Sequence, residues 1–223
     1  MSDLMSVLNI SASQDLQSLN NITHNLANTN TNAYKRWVDV NKGLTSTNSS
    51  SMDLSTGSLH RTNRYKDIAL KGSGFFVVKQ QGQTYLTRRG ELEINKEGYL
   101  TLASGERLQG QSGDIILEPK SFSVDQHGNI IQDNVVKDSI QVVNANLTGD
   151  HYLGNGLFRH ENTTPVQQQN KDIIQQHLES SNAVAMDEMV NLINLNRHYE
   201  SIFQVANGYN SLLEKTISDL GDF

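Results

Sequence analysis

Phe75-Phe76-Val77-Val78-Lys79-Gln80-Gln81-Gly82-Gln83 is the stretch on which the fold turns. Two aromatic and two β-branched residues in a row read as a buried strand, and a glycine four residues beyond Val78 marks the turn that ends it. The same spacing returns in Ile94-Asn95-Lys96-Glu97-Gly98-Tyr99 and in Val124-Asp125-Gln126-His127-Gly128-Asn129. A type I turn followed by a glycine of positive φ predicts a hairpin with a bulge at each. Asn95 and Asp125 suit the first turn position, where a short side chain accepts backbone hydrogen bonds. Ile68-Ala69-Leu70 adds another strand, and the period of two runs from Ile68 to Phe158. Closely spaced hairpins predict a compact antiparallel β domain.

Outward from this block the period changes to that of a helix. On the N-terminal side, Leu4, Leu8, Ala12, Leu16, Leu19, Ile22 and Leu26 recur every three or four residues, predicting a helix over 4–28. Its other face is Ser, Asn, Gln and Asp, whose side chains compete for the backbone, so the helix is weak alone. Asn28-Thr29-Asn30-Thr31-Asn32 suits a left-handed cap and turn. On the C-terminal side, Leu192, Leu195, Tyr199, Ile202, Ala206, Tyr209, Leu213, Ile217 and Leu220 keep a spacing close to heptads, which predicts a coiled-coil seam. Asp187 and Glu188 sit where a helix dipole favours acids. The Ser/Thr/Asn-rich stretch 42–58 reads as a mobile connector, and 162–177 as a polar return linker.

The expected fold class is therefore α+β. Long N- and C-terminal helices, coiled-coil-like in spacing, are expected to pair with each other and with neighbours, and the centre is an antiparallel β-rich domain. The expected divisions are 1–36 (helix and the motif after it, grouped with the C-terminal helix), 37–66 (connector arm), 67–160 (β domain), 161–177 (return linker) and 178–223 (C-terminal helix). Burial along one helix pair does not by itself offset the backbone entropy of ordering it, and the Asn and Ser of the N-terminal helix are weak helix formers, so the terminal helices are expected to order only in an assembly, leaving a protease-resistant core near 60–160.

Composition narrows the function. With 223 residues and a formal charge of −6, the chain has no basic excess to displace counterions from nucleic acid. No cysteine is present, which excludes disulfides, thiolate metal sites and cysteine nucleophiles. No run of about 18 apolar residues occurs. Met1-Ser2-Asp3-Leu4 carries an acid where a secretory signal carries Lys or Arg, so residence in the cytoplasm or export without signal cleavage is expected.

Catalytic patterns are not found. His24, His60, His127, His151, His160, His177 and His198 make no zinc motif and read as surface residues. Gly72-Ser73-Gly74 precedes a strand, so no helix N-terminus receives an anion there, and it reads as a tight turn. Asp125-Gln126-His127-Gly128-Asn129 lacks the alternating acids of a calcium loop. Arg88-Arg89 reads as a solvated basic pair beside Glu91, Glu93 and Glu97. Enzyme chemistry, cofactors, metals and small-molecule substrates are not expected.

Three blocks together resemble the bacterial flagellar basal-body rod proteins. Asn25 to Arg36 is similar to the family signature Asn-x-x-Asn-x-x-Thr-x-Gly-(Tyr/Phe)-(Lys/Arg), matching at Asn28, Thr31, Tyr34 and Lys35 but with Ala33 where the family has glycine. Alanine tolerates positive φ poorly, so this turn departs from the pattern. Gly57-Ser58-Leu59, Asp67 to Val78 and Thr87-Arg88-Arg89-Gly90 resemble the middle block. Leu178-Glu179-Ser180-Ser181-Asn182, Glu188 to Ile193 and Arg197-His198-Tyr199-Glu200 resemble the C-terminal block. Within the family the chain looks like the FlgF/FlgG type, and the short 37–56 gap favours FlgF.

The resemblance implies a structural axial subunit that polymerises helically, transmits torque and surrounds the export channel, with the terminal helices as a coiled-coil-like inner layer and the β domain outside it. It implies the periplasmic rod of the flagellar basal body as location. Implied partners are the chain itself, other rod proteins and the flagellar type III export apparatus, with no signal cleaved. The seam residues above, with Leu8, Leu19 and Leu26, are the expected assembly seam, and an Asn/Gln/Ser-rich face would line the lumen. Other flagellar axial proteins (distal rod of the FlgG type, proximal rod, hook) are the nearest alternative; a monomeric β-domain binding module is a remote one.

Overall fold

The computed structural model describes residues 2–40, 49–145, 147, 149–159, 166–167 and 171–221. Two long helices stand at the chain ends: α1 spans Ser2–Ala27 and α2 spans Ala185–Gly221. Among the described residues, everything regular between them is strand apart from one short 3-10 turn at Gly149–His151. The chain divides into two compact units. One holds residues 1–27, 37–51 and 183–223; the other holds 28–36 and 52–182.

The second unit is a β body. Its largest sheet runs, in spatial order, Tyr152–Gly154, Leu157–Arg159, Gln83–Thr87, Phe75–Gln80, Arg107–Leu108, Leu100–Leu102 and Leu92–Ile94. Val142–Asn144 joins this sheet along Phe75–Gln80. Ser123–Val124, Asn129–Gln132 and Val135–Ser139 form a separate three-stranded sheet. The strands Phe75–Gln80 and Leu100–Leu102 turn Phe76, Val78, Leu100 and Leu102 into one core with Ile68, Leu92, Ile130 and Ile140. Apolar residues on facing strands exclude water together, which makes the block self-supporting.

The hairpins follow the expected turns in two cases of three. Gly98 N–H donates to Asn95 O at 3.1 Å and Gly128 N–H to Asp125 O at 3.0 Å, with φ of +87° and +82° at the two glycines. Asn95 Oδ1 accepts from the N–H groups of Glu97 and Tyr99, and Asp125 Oδ1 from those of His127 and Asn129. The Phe75–Gln80 hairpin differs. Gln80 pairs with Gln83, so Gln81 and Gly82 alone make the loop, both with positive φ. That is the type I′ geometry whose twist matches the strands. Asp133-Asn134 and Asn155-Gly156 make two further turns of the same kind.

Two segments expected as linkers carry strands. Within the connector, Ser49–Met52 pairs with Trp37–Val40 and Met52 is buried, while 41–48 lie outside the described residues. Within the return linker, Ile173–Gln175 pairs antiparallel with Ile68–Leu70, and His177–Glu179 with Leu59–Arg61. Polarity misled the reading at both places, because short strands at a sheet edge bury one residue in two or three and leave the rest wet.

In the first unit α1 and α2 lie side by side. Ile22 is buried, Leu8, Leu19 and Leu26 are half-buried, and Leu16 is exposed. On α2, Leu192, Leu195, Ile202, Ala206, Tyr209 and Leu213 are half-buried, whereas Tyr199 and Ile217 are exposed. The Leu220 side chain lies outside the described ones. Among the described residues no helix is long and apolar enough to cross a membrane.

Candidate functional site

Lys35 of the motif after α1 and two residues of the middle block meet on one carboxylate inside the β body. Lys35 Nζ lies 2.6 Å from Glu179 Oε1, and Arg88 Nε donates to Glu179 Oε2 at 2.8 Å. The three residues are each at most 3% exposed. Gly57 N–H also donates to Glu179 Oε1, at 2.9 Å. The guanidinium of Arg88 reaches Gly74 O at 2.7 Å and Leu70 O at 3.3 Å; Lys35 Nζ donates to Ser55 O at 2.5 Å. Arg88 therefore belongs to the core and not to the solvated pair expected for it. Arg89 does pair with its neighbour Glu91, at 2.8 Å.

Two buried cations thus share one buried anion. Burial, with the charge of Arg88 added, pushes the Lys35 ammonium below the usual lysine range, against the pull of Glu179. Such a cluster holds only if every group is hydrogen-bonded. The segments that bond it are 33–36, 53–57, 70–74, 88 and 178–182. Asn182 extends the lacing: its Oδ1 accepts from Arg36 N–H at 2.7 Å, and its Nδ2 donates to Asp53 O at 2.8 Å. Residues 28–36 and 178–182, expected with the helices, therefore group with the β body.

The remaining motif residues support this junction. Thr31 N–H donates to Asn28 O at 3.1 Å and Tyr34 N–H to Thr31 O at 3.3 Å, two overlapping turns. Ala33 holds φ at +58°, a left-handed position taken by a residue other than glycine, and its N–H donates to Glu179 O at 2.7 Å. Asn28, Thr31, Tyr34 and Lys35 border a cavity of about 160 Å³ with Tyr152, Phe158 and Arg89. Glu91 forms part of its support. Burial would raise its pKa, but hydrogen bonds from Arg89 and Asn32 outweigh this and hold it below the usual glutamate range. Two motif glycines are close approaches. A Cβ on Gly57 would stand 2.0 Å from Ser180 O, and one on Gly90 1.7 Å from Ile68 O.

The helical unit has a polar clamp of its own. Gln17, Asn21 and Asn25 recur every four residues along α1 and meet the strands at 37–40 and 49–52. Asn25 Nδ2 donates to Trp37 O and Trp37 N–H to Asn25 Oδ1, both at 2.8 Å. Asn21 Nδ2 reaches Asp39 Oδ1 at 2.5 Å and Ser50 Oγ at 2.9 Å, and Gln17 Nε2 reaches Ser50 Oγ at 3.0 Å. This part of the amide face, expected to line a lumen, is occupied. Asn25 Nδ2 also donates to buried Glu188 Oε1 at 3.2 Å, and His198 Nδ1 lies 2.9 Å from Asp15 Oδ1, joining α1 to α2. Among the described residues no group of three His, Cys, Asp or Glu could hold a metal ion.

The sequence gives no role to Glu179, Asn182, Asn21, Asn25 or Asp15, and its reading of Arg88 as solvated is the wrong one. Glu179, Arg88, Asn182 and Asn25 stand in the quoted blocks, which is the available signal; a repeat of amides every four residues on α1 is the signal for the clamp.

Two family profiles match the chain. The flagellar hook protein FlgE/F/G D1 domain matches residues 69–149, and the flagellar basal body rod FlgEFG protein C-terminal region matches residues 174–219. A flagellar basal-body rod protein FlgG of Buchnera aphidicola subsp. Schizaphis graminum is 27% identical over 246 aligned positions, covering 89% of this chain and 92% of the relative. A flagellar basal-body rod protein FlgF of Caulobacter vibrioides is also 27% identical, over 226 positions, covering 92% of each. A flagellar hook protein FlgE of Rhizobium meliloti is 33% identical over 115 positions, covering 45% of this chain and 28% of that protein.

Proposed function

The chain belongs to the flagellar basal-body rod family of the FlgF/FlgG type, and from that premise we propose that it works as an axial structural subunit of the rod. Its work is mechanical, done by surfaces and not by chemistry on a substrate. The observation that carries this is the convergence of all three family blocks on buried Glu179, which is bonded by Lys35, Arg88 and Gly57. The cluster stiffens the β body and fixes the turn after α1, while the helices keep apolar residues in water for neighbouring copies.

In this reading the terminal helices build a coiled-coil-like inner layer around the export channel. Leu8, Leu19, Leu26 and the α2 seam from Leu192 to Leu220 are its contacts. The partners are further copies, other rod proteins and the export apparatus, through which the chain passes without signal cleavage. The FlgF type is favoured over FlgG. The FlgG alignment needs 246 positions to cover 89% of this chain, against 226 positions to cover 92% for FlgF, so FlgG carries more residues without a counterpart here.

Ile202→Asp and Leu213→Asp test the seam. Each puts a charge at a half-buried helix position, costly where neighbours would desolvate it. Cells carrying either variant should export the chain but build no rod and not swim. Normal swimming would remove the seam from the reading. Imaging of basal bodies from a strain lacking the chain tests the location, with a truncated or missing rod as the expected result.

A further inference from the structure

α2 has two different sides over its first half. Glu188, Leu192 and Leu195 turn toward α1, where Glu188 is buried and bonded to Asn25. On the opposite side Met186, Met189, Val190 and Ile193 fall within about 100° of the helix circumference, at 100° per residue. These four are between 49 and 70% exposed. Just beyond them, α1 and α2 enclose a groove of about 220 Å³ lined by Asp15, Leu16, Leu19, Leu195, Asn196 and Tyr199. Leu16 and Tyr199 are more than half exposed on its walls. Its carboxylate, Asp15, is engaged by His198 Nδ1 at 2.9 and 3.0 Å.

Stripe and groove match in chemistry. The stripe is thioether and aliphatic, with no charge to desolvate, and the groove offers hydrocarbon walls and an aromatic ring. Methionine adapts to irregular gaps and its sulfur packs well against an aromatic edge such as Tyr199. The two features cannot meet within one copy, because both lie along the same helix a turn or two apart. Resting on the reading of the chain as a rod subunit, we infer that the Met186–Ile193 stripe of one copy seats in the Leu16–Tyr199 groove of the next. A patch and a groove at different places make a head-to-tail contact, which repeats without closing and generates a helical filament. A stripe paired with itself would stop at two copies.

The chain contains no cysteine, so disulfide trapping has no background. Leu16→Cys and Met189→Cys chains are expressed together in the host in place of the native chain, and isolated basal bodies are oxidised. A cross-linked dimer is expected from the mixture and none from either variant alone; Tyr199→Cys with Val190→Cys repeats the test at a second pair. Met189→Glu should cut incorporation into basal bodies at least tenfold, while Met189→Leu enters normally. Cross-linking of Met189→Cys with itself, or native incorporation of Met189→Glu, overturns the contact. Rods built with no cross-link at either pair overturn it too, leaving the rod reading in place. Absence of the native chain from basal bodies overturns the rod reading itself.

Discussion

In the β body Lys35, Arg88 and Glu179 are buried, and each is bonded; in the helical unit Met186, Phe203, Leu212 and Ile217 are more than half exposed. One region has taken charge out of water and the other has left hydrocarbon in it. Both arrangements cost free energy in an isolated chain, but the costs are offset differently. The buried cluster is compensated inside the molecule, by seven bonds from segments up to 144 residues apart. The exposed apolar faces of α2 have no such compensation within the described chain. A subunit built this way carries a rigid body that needs nothing further and a pair of helices that gains from neighbours.

The largest test of this contrast is Glu179→Gln. It leaves two buried cations without their anion and should cost the β body about 3–5 kcal/mol in urea unfolding. The matched change in the helical unit, Glu188→Gln, removes a buried carboxylate that accepts from Asn25 and should cost only about 1 kcal/mol. Equal losses would erase the distinction. Limited proteolysis sharpens it further: trimming of the monomer should stop near Asn28 and Asn182, because both flanks are laced to Glu179 and Asp53. This replaces the narrower core near 60–160. Recovery of only that narrower core would mean that the lacing does not hold in solution.

One substitution should act with opposite sign in the two regions. Gly98 has φ of +87° and a Cβ there would stand 3.0 Å from Leu117 O, so Gly98→Ala should destabilise by about 1–2 kcal/mol. Gly208 lies inside α2 with nothing near its missing Cβ, so Gly208→Ala should stabilise that helix by about 0.5–1 kcal/mol, read as added helical dichroism.

Asp125 adds a pH-dependent case of a size similar to Gly98. Burial would raise its pKa, but bonds from Asn129 and His127 outweigh that and lower it below the usual aspartate range. A depressed folded pKa contributes stability above the unfolded value of about 3.9, and loses it as pH falls through the folded value. Asp125→Ala should therefore cost about 1–2 kcal/mol at neutral pH, and the gap to the native chain should shrink in acid. A gap that is constant down to strong acid would contradict this. The least effect is expected at Ala33→Gly. Relief of a left-handed alanine, about 1–2 kcal/mol, is partly cancelled by the entropy glycine adds to the unfolded chain, about 0.4–1 kcal/mol. A net gain below about 1 kcal/mol in thermal unfolding is expected, and a clear loss would show that the buried methyl matters more than the backbone.

How much could be read in advance follows the range of the forces involved. The helices, and the Gly98 and Gly128 turns, are set by residues within a few positions of one another, so period and turn chemistry suffice. The strands at Ser49–Met52 and Ile173–Gln175 escaped because edge strands need few apolar residues and take their order from a partner far along the chain. At the site, Tyr34 and Lys35 were marked by their motif, but the role of Lys35 was not legible without Glu179.

By itself, then, the sequence determined two terminal helices, a hairpin-built β centre, the absence of thiol chemistry, and blocks specific enough to identify a family. Only the tertiary structure decided that Lys35, Arg88 and Glu179 share one buried site, and that Asn25 bonds Glu188 across 163 residues. A lysine, an arginine and a glutamate look alike in a sequence whether wet or dry. Burial is a property of the path of the whole chain, and it is burial that turns an ordinary surface charge into a structural commitment.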